Sequence, residues 1–151
     1  MKRASSSKPP AQDVVPAVGM ASRTLVSAMM TRLAARGFDG LTPAFASIMP
    51  MLDATGIRPT VLAQRAGVTK QAASQLVRLL EGRGYVEQVP DATDERAKVI
   101  RLTRRGVALR AACFEVRQEI EAVARETLGD ARLERFQSDL AKLLVALSGK
   151  P

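Results

Sequence analysis

Apolar residues recur along this chain with two different periods, and the change from one to the other marks its parts. Leu25, Val26, Met29 and Leu33 share one helical face, which predicts a helix over residues 21–36 ending at Gly37. A second stripe, Phe45, Ile48, Met49 and Leu52, follows Thr42 and Pro43, a capping residue and a first-turn proline. Pro50 falls inside that stripe, where it removes a backbone hydrogen bond and should bend the helix. Leu62, Ala63 and Ala66 predict a short third helix, capped by Thr60 and stopped by Gly67. Ala73, Leu76, Val77 and Leu80 predict a fourth, capped by Thr69, running to about Arg83 and terminated by Gly84.

The period then shortens to two. Residues 85–89 and 97–102 alternate as strands, joined by a turn over 90–96. Thr103 caps a fifth helix, along which Leu109, Cys113, Val116, Ile120 and Val123 form a coiled-coil-like seam. Beyond Gly129 and Asp130, a sixth helix sets Leu133, Phe136, Leu140, Leu143, Leu144 and Leu147 on one side. Residues 1–20, rich in Ser, Pro and Lys, have no helical period and are expected to form a mobile basic tail.

The segment 57–106 is specified most tightly. Ala63 lets two helices cross closely, and Gly67 can take the positive φ that turns the chain between them. The expected fold is therefore mainly α with a small β-hairpin: a winged helix-turn-helix flanked by helices from both ends of the chain.

Charge sharpens this picture. The net charge is +8, and residues 58–110 hold 11 basic against 5 acidic side chains, whereas residues 111–151 are nearly balanced. A cationic excess coinciding with a helix-turn-helix suits a polyanion partner better than it suits general solubility. With one cysteine and no histidine, neither an intrachain disulfide nor a multi-Cys or His metal site is available, and a reducing cytoplasm fits. No cofactor is expected. An enzyme has little to be built from: there is no histidine, Gly-rich phosphate loop or activated nucleophile. The longest uncharged run, residues 40–52, is too short for a signal or a membrane span.

Candidate contacts follow from the two projecting parts. Thr69, Lys70, Gln71, Ala72, Ser74 and Gln75 occupy the first turns of the fourth helix, the part that reaches base edges in a major groove. Glutamine can bond adenine, serine several bases, and alanine a thymine methyl; Lys70 and Arg78 suit phosphates. Taken alone, the same residues would serve as the polar face of a core helix. At the hairpin, Arg96 is placed to enter a narrow minor groove, with Asp94 holding it through a charged hydrogen bond and Lys98 on the outer face. The competing description is a solvated turn with a weak ion pair. Arg104 and Arg105 oppose the dipole of the fifth helix and hint at an anion nearby. Cys113, on the apolar seam, suits a buried structural thiol better than a redox switch. Met29, Met30, Met49 and Met51 suit core packing first and a lipophilic pocket second, with Arg23, Phe114 and Arg117 able to border the same cleft.

Thr69-Lys-Gln-Ala-Ala-Ser-Gln-Leu-Val77, Leu80-Glu-Gly-Arg-Gly-Tyr-Val86, Asp91-Ala-Thr-Asp-Glu-Arg96 and Leu102-Thr-Arg-Arg-Gly106 together resemble the MarR family of bacterial transcription regulators. The resemblance covers roughly residues 21–148 in element order. It implies a homodimer joined by helices over 21–36 and 107–148, bound to pseudo-palindromic double-stranded operators, usually as a repressor. It also implies release by a small lipophilic or phenolic effector in a cleft between the two lobes. Thiol-sensing relatives use a cysteine near the start of the first helix, where this chain has none. A winged helix used for protein–protein assembly is the alternative, and it leaves the basic bias of 58–110 unexplained.

Overall fold

A computed structural model describes residues 13–149. Its elements are α1 (Val14–Ala35), α2 (Phe45–Ile48), a 3₁₀ turn (Met49–Met51), α3 (Pro59–Ala66), α4 (Lys70–Gly82), β1 (Val86–Asp91), β2 (Asp94–Leu102), α5 (Arg104–Leu128) and α6 (Asp130–Leu147). The two strands pair antiparallel as one hairpin. The mainly helical, winged architecture is the one expected.

The local signals explain most boundaries. Thr69 accepts from the Ala72 amide at 3.1 Å and Thr103 from the Gly106 amide at 3.1 Å, so each satisfies an otherwise unpaired donor at its helix start. Gly67 closes α3 with φ 65°, a left-handed conformation that costs a residue bearing Cβ about 1–2 kcal/mol.

Four expectations need correction. The first helix begins at Val14, not at residue 21, because Pro16 sits in its first turn, where a missing amide costs nothing. Residues 1–12 of the expected tail lie outside the described residues. The second helix is only four residues long: Thr42 and Pro43 precede it in a turn, accepting from the Phe45 and Ala46 amides. Pro50 breaks it into the 3₁₀ turn instead of bending it. Thr60 does not cap α3; Pro59 takes the first position and Arg58 the cap. The hairpin turn is tighter than 90–96, since Asp91 already pairs with Asp94.

One apolar cluster unites the parts. Leu33 of α1, Phe45 and Ile48 of α2, Leu62 of α3, Leu80 of α4, Tyr85, Ile100 of β2, and Leu109 and Val116 of α5 are all almost completely buried within it. Ile57 exchanges two 2.9 Å backbone hydrogen bonds with Ile100, so the connector before α3 extends the hairpin by a bridge. Although α1, 22 residues long with an 18-residue stretch of mean hydropathy 1.2, has the length and hydropathy of a membrane span, here it lies along α5. Arg32 and Arg36 pair with Glu119 of that helix.

The predicted apolar face of α6 is only partly covered. Leu133 is buried, but Phe136, Leu144 and Leu147 are exposed, as is Val123 at the end of the α5 seam. Val14, Val15, Val18, Met20 and Leu25 of α1 are exposed too.

The α5 start is the tightest junction. A Cβ built on Gly106 would lie 1.9 Å from the Tyr85 carbonyl oxygen, whereas one on Gly67 would meet nothing within 4 Å. Gly106→Ala is therefore expected to destabilise the fold by about 3 kcal/mol, and Gly67→Ala by only about 1 kcal/mol. Urea unfolding monitored by circular dichroism measures both; equal losses would contradict the contact.

Candidate nucleic-acid interface

The exposed start of α4 and the hairpin lie side by side. Ala73, Val77 and Leu80 are buried, which fixes the helix's rotation about its axis and turns Lys70, Gln71, Ala72, Gln75 and Arg78 outward. Ser74 is half-buried. With Arg78 and Glu81 it lines a groove of about 290 Å³ whose other wall includes Gln88 and Ile100 of the hairpin. Gln88 donates to Glu81 at 3.0 Å across this groove, a contact that spacing alone did not reveal.

In the wing, Asp94, Arg96 and Lys98 are exposed. Register runs from Val86 opposite Leu102 to Pro90 opposite Lys98, then jumps to Asp91 opposite Asp94. Residues 95–97 therefore form a bulge on β2, and Arg96 stands in it rather than in a turn. Asp94 holds that bulge by accepting from the Arg96 backbone amide at 3.1 Å. Its other oxygen lies 3.9 Å from Arg58, so the expected Asp94 grip on the Arg96 guanidinium is replaced by a grip on the Arg96 backbone. Arg101 pairs with Glu87 across the hairpin at 2.7 Å.

Asp91 organises the wing turn. One oxygen accepts from the Thr93 amide at 2.8 Å and its hydroxyl at 2.7 Å; the other accepts from Arg58 Nε at 2.7 Å. The Thr93 bonds, with Arg58, hold its carboxyl down at about 2, and the same pair raises the Arg58 guanidinium. Arg58 was missed in the sequence. The available signal was a cation directly before a helix start, where the dipole disfavours it unless an acid stands close.

The anion anticipated near Arg104 and Arg105 is Asp39. It lies 3.6 Å from Arg105 and 3.4 Å from Arg83 at the end of α4, while the Arg105 guanidinium sits over the Tyr85 ring, 4.9 Å from its centroid.

Four of the five candidate pocket residues come together. Met29, Met49, Phe114 and Arg117 line a cavity of about 390 Å³ with Phe45, Pro50, Arg110 and Cys113. Met30 does not; it borders a separate hollow with Arg23, Leu41 and Pro43. Cys113 is buried as expected, and burial pushes its thiol up, away from thiolate reactivity.

Residues 39–97 match the family model described as MarR family. Over that segment the chain is similar to the MarR family of transcriptional regulators. Transcriptional regulator HosA of Escherichia coli O157:H7 is 29% identical over 107 residues, covering 71% of this chain and 76% of that protein. Among solved structures, the transcriptional repressor CouR bound to a 23-mer DNA duplex superposes with a TM-score of 0.72 at 25% identity, covering 87% of this chain and 92% of that one. The Staphylococcus aureus MepR–DNA complex gives 0.72 at 23% identity, over 89% of this chain and 98% of that one, a likeness of fold. The family match runs across α2 to the wing bulge, the segment that holds every one of the interface candidates except Lys98.

The Asp91 carboxyl has a native value below the ordinary unfolded one, about 3.9, so it stabilises the fold fully above that pH. That contribution disappears as pH falls through about 2. Asp91→Asn is expected to flatten the stability-versus-pH curve between these limits, as read by denaturant melts in acid. Parallel curves for the two proteins would remove Asp91 from the account of the wing.

Proposed function

We propose that two copies of this chain form a sequence-specific DNA-binding regulator, acting in the cytoplasm and most simply as a repressor. Each copy lays the start of α4 in a major groove, with Gln71, Ala72, Ser74 and Gln75 toward base edges and Thr69, Lys70 and Arg78 toward phosphates. Arg96 enters the neighbouring minor groove and Lys98 meets the backbone, while Asp94 fixes the bulge from which Arg96 projects. The observation that carries this reading is the adjacency of an outward-facing polar helix start and a bulged arginine, in a segment with 11 basic and 5 acidic side chains. CouR and MepR, which share the fold, are described as DNA-bound.

A second copy of the chain accounts for the uncovered apolar face. Val14, Val18, Leu25, Val123, Phe136, Leu144 and Leu147 are exposed in one copy, and burying each large aliphatic or aromatic side chain stabilises by about 1.5–3 kcal/mol. Dimerisation through α1, α5 and α6 covers them and spaces the two α4 helices for a pseudo-palindromic operator.

The cavity supports an effector site. Its wall is apolar at Met29, Phe45, Met49 and Phe114, with Arg110 and Arg117 at hand for a polar or anionic group, as a small lipophilic or phenolic ligand requires.

Duplexes selected from a random pool, titrated against the protein in gel shifts, test the central claim. Arg96→Ala is expected to weaken binding by about 1–3 kcal/mol. Affinity should fall steeply with salt, on the order of 6–10 released counterions per dimer. Sedimentation should give a dimer. A flat salt response, or a strictly monomeric protein, would sink the reading.

A further inference from the structure

Among the described residues, the cation that touches both Asp91 and Asp94 lies outside the wing. Arg58 is the cap residue of α3, separated by more than thirty positions from Asp91 and Asp94. Its Nε donates to Asp91 at 2.7 Å, and Nη2 approaches Asp94 at 3.9 Å. Each carboxylate spends its other oxygen on the wing backbone: Asp91 on the Thr93 amide, and Asp94 on the Arg96 amide. A continuous run of contacts therefore links the first helix of the helix-turn-helix to the amide of the bulged arginine.

Stability is a poor reason for the arginine in this cluster, because the Thr93 bonds already hold Asp91 in its place. A cation at a helix N-terminus opposes the dipole, and partly exposed ion pairs contribute little to folding. Binding is a better reason. Two carboxylates flanking Arg96 would face the phosphates of a duplex that Arg96 enters, and like charges brought together at an interface are costly. We propose that Arg58 is a positioning residue of the nucleic-acid surface, tethering the wing bulge to α3 and masking Asp91 and Asp94 from the approaching polyanion. The masking half rests on the DNA-binding reading above; the tether half does not.

The test uses the full chain with Arg58→Gln, the double variant Asp91→Asn with Asp94→Asn, and the triple variant combining all three. Circular dichroism first establishes that each is folded. On the duplex selected by the wild-type protein, R58Q should bind roughly tenfold more weakly. Adding R58Q to the double variant should cost less than about twofold, because neither carboxylate that Arg58 contacts is left to mask. An Arg58 that merely supported α3, or that touched a phosphate itself, would cost as much in the neutralised background, and that result overturns the proposal. So does an unchanged affinity for R58Q alone. The tether is read without DNA: amides of residues 92–97 should exchange faster in R58Q than in the wild type. Unchanged protection overturns the tether. A wild-type protein that binds no duplex sinks the DNA-binding reading and the masking with it, while the exchange result still decides the tether.

Discussion

The backbone at Tyr85 is where three parts of the molecule are tied, and the rest of the arrangement depends on that knot. The Thr103 amide donates to the Tyr85 carbonyl at 3.1 Å, and its hydroxyl donates to the Gly84 carbonyl at 2.6 Å. The same hydroxyl oxygen accepts from the Gly106 amide at 3.1 Å, and Gly106 comes so close to the Tyr85 carbonyl that no side chain fits. The end of α4, the end of β2 and the start of α5 thus meet over a few ångströms. Tyr85 is itself almost fully buried and donates from its hydroxyl to the Asp39 carbonyl at 3.1 Å. Because rigid packing transmits small displacements, the direction in which α4 projects is fixed relative to α5.

That knot explains why a short Leu-Thr-Arg-Arg-Gly run is informative beyond its length. Threonine must cap and reach back at once, and glycine must admit a carbonyl. Such demands are local, so they were legible in the sequence, as were the Thr69 cap and the left-handed Gly67. The buried stripe Phe45, Ile48, Met49 and Leu52 was legible too, since burial follows spacing even where the helix carrying it is broken. The break itself was not: α2 is held by hydrogen bonds from the Phe45, Ala46 and Ser47 amides to residues three before them, which no apolar period distinguishes from a longer helix. The early start of α1 was hidden because a proline reads as a breaker unless its place in the first turn is known.

Partner choice across the fold was the least legible property. Asp94 and Arg96 are two residues apart, so a guanidinium contact was the natural expectation; the bulge gives Asp94 a nearer donor in the Arg96 amide. Arg58 finds Asp91 only because the Ile57–Ile100 bridge lays the connector along the hairpin. Met29 and Met30 are neighbours in sequence yet line different hollows, since adjacent helical positions point about 100° apart. Each of these outcomes turns on tertiary register, which a one-dimensional pattern does not carry.

Charge and packing have different tasks on this surface. The apolar cluster supplies the energy of folding and is continuous from α1 to β2 and α5, so the reading elements cannot drift freely. The ion pairs around it are mostly half-exposed, as with Arg83 and Asp39 or Arg101 and Glu87, and contribute little to stability individually. What they do is assign partners. Every acid in the wing whose side chain is described (Glu87, Asp91 and Asp94) has an arginine within 4 Å, while Arg96 and Lys98, also in the wing, have no acid that close among the described residues. A surface on which the described anions are paired and chosen cations stand apart from them presents positive charge at defined points, not as a diffuse net excess. Such points set register on a polyanion as well as attracting it.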